Sequence, residues 1–171
     1  MAQGITEGYF DPHFDGKFNP TGLVKGWAIE KIFDKELLPL LNQPEIVGVS
    51  LNGGGDIKTA VTNQNGFVWN VGIENPTNSN SIIGQYALTN NGIATSGISK
   101  RSEHIKRNPS SLKQATVISD SLTEADVWAT AIMAAGTQQG FDLIRKNELS
   151  GVLLDSRLGE IVFQGGEISH A

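Results

Sequence analysis

Ile46-Val47-Gly48-Val49-Ser50-Leu51-Asn52-Gly53-Gly54-Gly55-Asp56-Ile57-Lys58-Thr59-Ala60-Val61 is the stretch on which the fold turns. Ile46 to Leu51 is a short, β-branched run that reads as a buried strand, and it stops at three consecutive glycines. A dinucleotide-binding fingerprint needs such glycines to open a helix. Here Ile57 to Val61 alternates as a strand does, so the Rossmann reading fails. No segment ends in Gly-Lys-Ser or Gly-Lys-Thr, which removes the phosphate-loop reading as well. Asn52 to Asp56 is then either a tight β-turn or a place where backbone approaches a planar or phosphorylated ligand, with Gly54, Gly55 and Asp56 as the candidate contacts.

Working outward, the same strand chemistry recurs at Val68 to Ile73, Gln85 to Thr89, Gly92 to Thr95 and Ala115 to Ile118, separated by Asn, Gly, Pro and Ser turns. Gly151 to Leu154 and Gly159 to Phe163 read as a closing hairpin across Asp155 to Leu158. Helical spacing is clearest from Trp27, where Ile29, Ile32, Phe33, Leu37, Leu40 and Leu41 form an apolar face and Glu30, Lys31, Asp34 and Lys35 a wet one. Pro39 should end or kink that helix, because it lacks an N–H and clashes with the preceding turn. Thr123 opens a capping pattern for an Ala-rich helix, Ala125 to Ala135, that stops at Gly136, and Phe141 to Lys146 continues in helical spacing. The first two dozen residues read as irregular, with room for one short strand. Strands in runs with a few helices, rather than strict alternation, imply an α+β fold: a mostly antiparallel sheet with a few packed helices, in a single domain over residues 1–171.

Composition excludes several functions. A net charge of −5 argues against a protein that reads a nucleic-acid backbone, although Lys100, Arg101, Lys106, Arg107 and Lys113 gather in one region suited to an anionic ligand or to a solvated loop. Cysteine is absent, so disulfides, thiol nucleophiles and iron–sulfur clusters are excluded. His13, His104 and His170 have no ligand spacing among them, which argues against zinc. No run is long and apolar enough to span a bilayer, and the amino terminus as given lacks a signal segment, so the expected location is cytoplasmic. An exported form is expected only if the amino terminus has been trimmed.

Three sets of residues carry chemistry. Gly22-Leu23-Val24-Lys25-Gly26-Trp27-Ala28 sets a lysine between glycines just before the first helical pattern, a place where an anion can approach backbone N–H groups and a full charge, or where the chain simply turns and packs closely. Asp126 and Thr130, four apart on the Ala-rich helix, present their oxygens on one side. That is a magnesium-type pair, since magnesium takes one or two carboxylates and leaves positions for water and phosphate. The alternative is an acid serving the helix dipole and a threonine bonding back to a carbonyl. Ala94-Thr95-Ser96-Gly97 ends a strand in small residues that leave room for a ligand at Ser96. No Gly-x-Ser-x-Gly elbow makes Ser96 a nucleophile. His104, further on, is either a general base or phosphate contact or an ordinary surface histidine.

In this order, GLVKGWAIEKI, LNGGGDI, WNVGIENP, ATSG followed by HI, and ADVWATAIMAAG resemble the ApbE family, the FAD:protein FMN transferases. The resemblance runs over roughly residues 10 to 163 and corresponds to the carboxy-terminal two thirds or so of the family pattern. It implies a Mg2+ ion, FAD as substrate, and transfer of FMN through its phosphate to a Thr or Ser hydroxyl of an acceptor protein with release of AMP. By the same resemblance Asp126, Thr130 and the Gly22 carbonyl are the metal ligands, Lys25, Ile105 and Asn19 touch the flavin nucleotide, and His104 and Asp126 are candidates to take the acceptor's proton. Water in place of the acceptor would make the activity that of an FAD pyrophosphatase.

The chain departs from the family pattern in three ways. Only a few residues precede Phe10-Asp11-Pro12, so the family's amino-terminal portion is missing. Asn19 stands where an acid is usual, and Lys106-Arg107-Asn108-Pro109 carries one residue too many before the proline and no acid. A non-catalytic flavin-nucleotide-binding module is the alternative these departures leave. An incomplete pocket would expose apolar surface, which implies self-association or a complementing chain.

Overall fold

The computed structural model describes residues 2–13, 18, 20–62, 66–97 and 111–170. In chain order the elements are α1 (Ala2–Ile5), α2 (Thr21–Ile32), β1 (Gly48–Gly53), β2 (Asp56–Val61), β3 (Trp69–Asn75), β4 (Asn78–Leu88), β5 (Gly92–Gly97), β6 (Leu112–Ser119), α3 (Leu122–Ala135), α4 (Thr137–Lys146), β7 (Ser150–Asp155), β8 (Gly159–Gln164) and β9 (Glu167–His170).

The deciding stretch is a hairpin. β1 and β2 pair antiparallel with Gly53 opposite Asp56, leaving Gly54 and Gly55 as a two-residue turn with φ of 71° and 98°. Two consecutive positive φ values are what the right-handed twist of paired strands demands of so short a turn, and glycine adopts them without a Cβ clash. Asn52 Oδ1 closes the turn by accepting the Gly55 N–H at 2.9 Å. The pairing spreads from there into a seven-stranded antiparallel sheet in the order β1-β2-β5-β6-β7-β8-β9, while β3 and β4 form a separate two-stranded ribbon. The expected α+β class and antiparallel sheet are therefore present.

Strand alternation makes the sheet the middle of three layers. Ala94, Ala115, Val117, Leu153, Ile161 and Phe163 face α3 and α4, where they meet Trp128, Ile132, Leu143 and Ile144. The intervening residues Ile93, Val152, Leu154 and Val162 point the other way, against Ile73, Ile83 and Leu88 of the ribbon. Because side chains alternate with period two, one strand serves both cores. Phe33, Val49 and Ala60 fill a third cluster at the β1 end.

Several sequence expectations need correction. The lead-in forms the four-residue helix α1 and no strand among the described residues. The helix expected from Trp27 is α2 and starts at Thr21, so Gly22 to Ala28 lie within it rather than ahead of it. It ends as an α-helix at Ile32, widens to a π turn over Phe33–Leu37 and tightens to a 3-10 turn over Leu38–Asn42, with Pro39 in the first positions of that last turn, where a missing N–H is harmless. The Ala-rich helix is capped by Ser121, whose Oγ accepts the Glu124 N–H at 3.3 Å, and not by Thr123. Two further stretches are strands: the first half of β4, where Asn78-Ser79-Asn80-Ser81 carries turn-forming residues, and β9, where Glu167-Ile168-Ser169-His170 is too short and too polar to show a strand pattern.

Asp155 ties the far end of the sheet together. Its buried carboxylate accepts from Ser111 Oγ at 2.6 Å, from Thr137 Oγ1 at the start of α4, and from the Arg157 and Leu158 amides at 2.7 and 3.2 Å. Burial pushes its pKa up, but these four donors outweigh burial and hold it below the ordinary 3.8. The carboxylate's contribution is therefore complete above that ordinary value and is lost as pH falls through the lower folded one. Replacing Asp155 by Ala strands two hydroxyls and two amides and should cost about 2–3 kcal/mol. The gap in urea midpoint between wild type and Asp155→Ala should narrow as the pH is lowered from about 6 toward 3. A constant gap across that range would contradict the assignment.

Candidate metal and nucleotide site

α2 and α3 run antiparallel in close contact, and glycine is the reason. A methyl group on Gly22 would lie 2.9 Å from Thr130 Oγ1 and 3.2 Å from the Phe10 ring, and one on Gly26 would lie 3.0 Å from both Asp126 Cβ and the Leu122 carbonyl. Any side chain there would push the helices apart. One turn along α2 is matched by one turn back along α3, so Gly22 faces Thr130, Gly26 faces Asp126 and Glu30 faces the start of α3.

Direct bonds join these rungs. The Gly26 N–H donates to Asp126 Oδ2 at 3.1 Å in a buried setting. The hydroxyls of Thr130 and Ser96, at the end of β5, lie 3.2 Å apart. Lys25 Nζ forms an ion pair with Asp56 Oδ2 at the start of β2, and the Thr95 N–H donates to Asp56 Oδ1 at 3.3 Å. Asp56 is fully buried and its Oδ2 takes no hydrogen bond, so the Lys25 ammonium is what offsets its charge. Removing one partner of such a pair leaves a charge in low dielectric. Because Lys25 keeps a quarter of its side chain exposed, Lys25→Met should cost about 2 kcal/mol rather than the full figure for a dry pair. Asp56→Asn in the same background should recover part of that loss in a thermal melt, and no recovery would remove the coupling.

Glu30, read from sequence as part of a wet face, is instead the cap of α3. Its carboxylate accepts from Ser121 Oγ at 2.9 Å, Leu122 N at 3.0 Å, Thr123 N at 3.1 Å and Thr123 Oγ1 at 2.6 Å, with Lys58 Nζ at 3.7 Å. Burial raises its pKa, and the Thr123, Ser121 and Leu122 donors more than reverse that, so it is held below the ordinary 4.5. A carboxylate at a helix start also meets the positive end of the dipole. The spacing Gly22, Gly26, Glu30 was the available signal, since residues four apart share one helix face.

Of the residues singled out from sequence, Gly22, Lys25, Asp56, Ser96, Asp126 and Thr130 converge here from α2, β2, β5 and α3. Gly54 and Gly55 form the exposed hairpin turn that leads into Asp56. Asn19, His104 and Ile105 lie outside the described residues, as do Lys100, Arg101, Lys106 and Arg107. Thr95 was missed, because a backbone donor has no sequence signature.

The donor set fits magnesium. Among the described residues no three His, Cys, Asp or Glu side chains cluster as a metal cage. A cation beside Asp126 would draw on one carboxylate, the Thr130 hydroxyl and backbone carbonyl, leaving the remaining positions to water and phosphate, which is the magnesium habit. A separate cleft bordered by Trp128, Glu124 and Glu148 is lined by none of these residues. No helix among the described residues is long and apolar enough to cross a membrane.

Known proteins carry the same arrangement of chain. The apo form of Pseudomonas stutzeri flavinyl transferase ApbE superposes with a TM-score of 0.72 over 95% of this chain and 68% of that one, at 15% identity. The Thermotoga maritima apbe protein does so with a TM-score of 0.67 over all of this chain and 62% of that one, at 18% identity. At these identities the likeness is one of fold. In sequence, FAD:protein FMN transferase of Salmonella typhimurium is 29% identical over 129 residues, covering 67% of this chain and 37% of that protein. The Escherichia coli K12 protein of the same description is 27% identical over the same spans. The chain thus spans little more than a third of the length of these relatives. The sequence model of the ApbE family matches residues 12–153, most of the chain, so the protein belongs to the ApbE family.

Proposed function

We propose that this chain is the metal-bearing part of a Mg2+-dependent FAD:protein FMN transferase, moving FMN from FAD to a Thr or Ser hydroxyl of an acceptor protein and releasing AMP. The observation that carries this reading is the Gly22–Thr130 and Gly26–Asp126 contact, which sets an acid and a hydroxyl of α3 against glycine backbone of α2, the helix that also carries the Asp56-paired Lys25. The names of the curated relatives support the reaction class.

Asp126, Thr130 and the Gly22 carbonyl would hold the ion, which when bound supplies positive charge to offset the pyrophosphate and the leaving AMP phosphate. The Gly26 N–H also reaches Asp126, and the Gly22 carbonyl has a second lone pair with which it would accept a cation. Lys25, held by Asp56, aims a second positive charge at the same phosphates. The acceptor hydroxyl oxygen forms a bond to the FMN phosphorus as the bond from that phosphorus to the AMP oxygen breaks. Its proton passes to His104 or to Asp126, and AMP departs with the electron pair. Ser96 and the Gly54–Gly55 turn would border the nucleotide. Asn19 and Ile105 would contact the flavin side.

Incubation with FAD, Mg2+ and an acceptor domain should give covalent flavin fluorescence on the acceptor. No transfer, with FAD binding undiminished in Asp126→Ala, would overturn the proposal. AMP release without labelling would convert it to a pyrophosphatase. Size-exclusion measurement with and without FAD tests the associated expectation that the chain self-associates or takes a complementing chain.

A further inference from the structure

We infer that Glu30 is a positioning residue that sets the register of α2 against α3, and through it the affinity of the site for a divalent cation. This inference rests on the proposed metal site. The two helices touch through three rungs, Gly22 with Thr130, Gly26 with Asp126, and Glu30 with Ser121, Leu122 and Thr123.

The first two rungs are permissive. Glycine allows close approach but does not choose where along the helix it occurs, and a slip of one turn would set Gly26 against Thr130 and leave Asp126 facing Glu30. The third rung does choose. Only the residue opposite Leu122 can accept the orphan amides at the start of α3, because helix amides beyond the first turn are already bonded within the helix. Lys58 of β2 fixes the other side of the carboxylate and also donates to the Asp120 carbonyl, which ties the rung to the sheet.

Ser121 alone caps α3 locally through Glu124, so the helix does not need Glu30 in order to form. What Glu30 adds is the alignment of one helix on the other. Glu30 meets α3 at Leu122, about one turn from Asp126, and its carboxylate is taken up by Ser121, Leu122, Thr123 and Lys58.

Isothermal titration of MgCl2 into wild type, Glu30→Gln and Glu30→Ala tests this, with thermal melts and amide exchange of Gly26 recorded on the metal-free proteins. Loss of an orienting group behind metal ligands commonly weakens binding by about 10–100-fold, and Glu30→Ala should fall in that range. Glu30→Asp, which keeps the charge on a shorter arm, should recover part of it. Faster exchange of the Gly26 amide in Glu30→Ala is expected without any metal, since that amide reports the second rung.

Should Glu30→Gln fail to fold, Thr123→Val removes one of the four donors and should show a smaller shift in the same direction. Unchanged Mg2+ affinity in folded variants whose melting temperature falls would make Glu30 merely structural and overturn the inference alone. Absence of saturable Mg2+ binding in wild type would overturn the metal site and the inference with it.

Discussion

Asp126→Ala is expected to lower the rate of flavin transfer about a thousandfold or more, because it removes the one carboxylate that the described residues give the proposed cation site, and with it the hold on the cation that would offset the leaving phosphate. The fold should survive. Asp126 sits on a helix that is capped at its start by Ser121 and Glu30, and the Gly26 N–H that it now accepts has the Gly22 carbonyl as an ordinary helical acceptor. A melting temperature near that of wild type, together with lost transfer, separates chemistry from folding. Asp126→Asn sharpens the test, since an amide oxygen can still accept from Gly26 while the charge is gone. Turnover by Asp126→Asn within about threefold of wild type would show that charge at this position does not matter, and the metal reading would fail.

Gly92→Ala should be the most destabilising single methyl among the glycines of the site's framework. The added carbon would lie 2.5 Å from both the N and the Cα of Leu122, which are backbone atoms. Neither side can give way: Gly92 is paired with Lys58 on one side and Ser119 on the other, and the Leu122 amide is held by Glu30. Forced overpacking of this kind costs about 3 kcal/mol or more, which for a chain of this size lowers the melting temperature by roughly 10 °C.

Gly53→Ala makes the contrast. Its methyl would meet Ile29 Cδ1 at 2.3 Å and Cγ1 at 2.6 Å, atoms of a buried side chain rather than of backbone, so a cost of about 2 kcal/mol, below that at Gly92, is expected. Gly92→Ala should also weaken Mg2+ binding, because pushing the start of α3 off β5 moves Asp126. Equal melting temperatures for the two variants would refute the rigid junction of β5 with α3.

Much of this was legible in the chain. The period-two runs located the strands of the sheet and its antiparallel character, and Asn52-Gly53-Gly54-Gly55 marked a turn that demands positive φ. The spacing of Asp126 and Thr130 set them on one side of a helix and left a magnesium pair and an ordinary helix-dipole acid as alternatives. Periodicity and propensity are properties of a few neighbouring residues, and these features need nothing more. Boundaries failed where non-local bonds extend an element, as in β9, whose Glu167-Ile168-Ser169-His170 is a strand because β8 offers it a ladder.

The site belongs to the other category. Sequence supplied its residue types, but only the packed structure brings Gly26 to Asp126, a hundred residues away, and Lys25 to Asp56. It also turns Glu30 from a solvated acid into the cap of a helix from elsewhere in the chain. The physical reason is that local spacing states which face a side chain occupies, whereas the partner of that face is chosen by close approach at Gly22, Gly26 and Gly92 and by amides that must find an acceptor when buried.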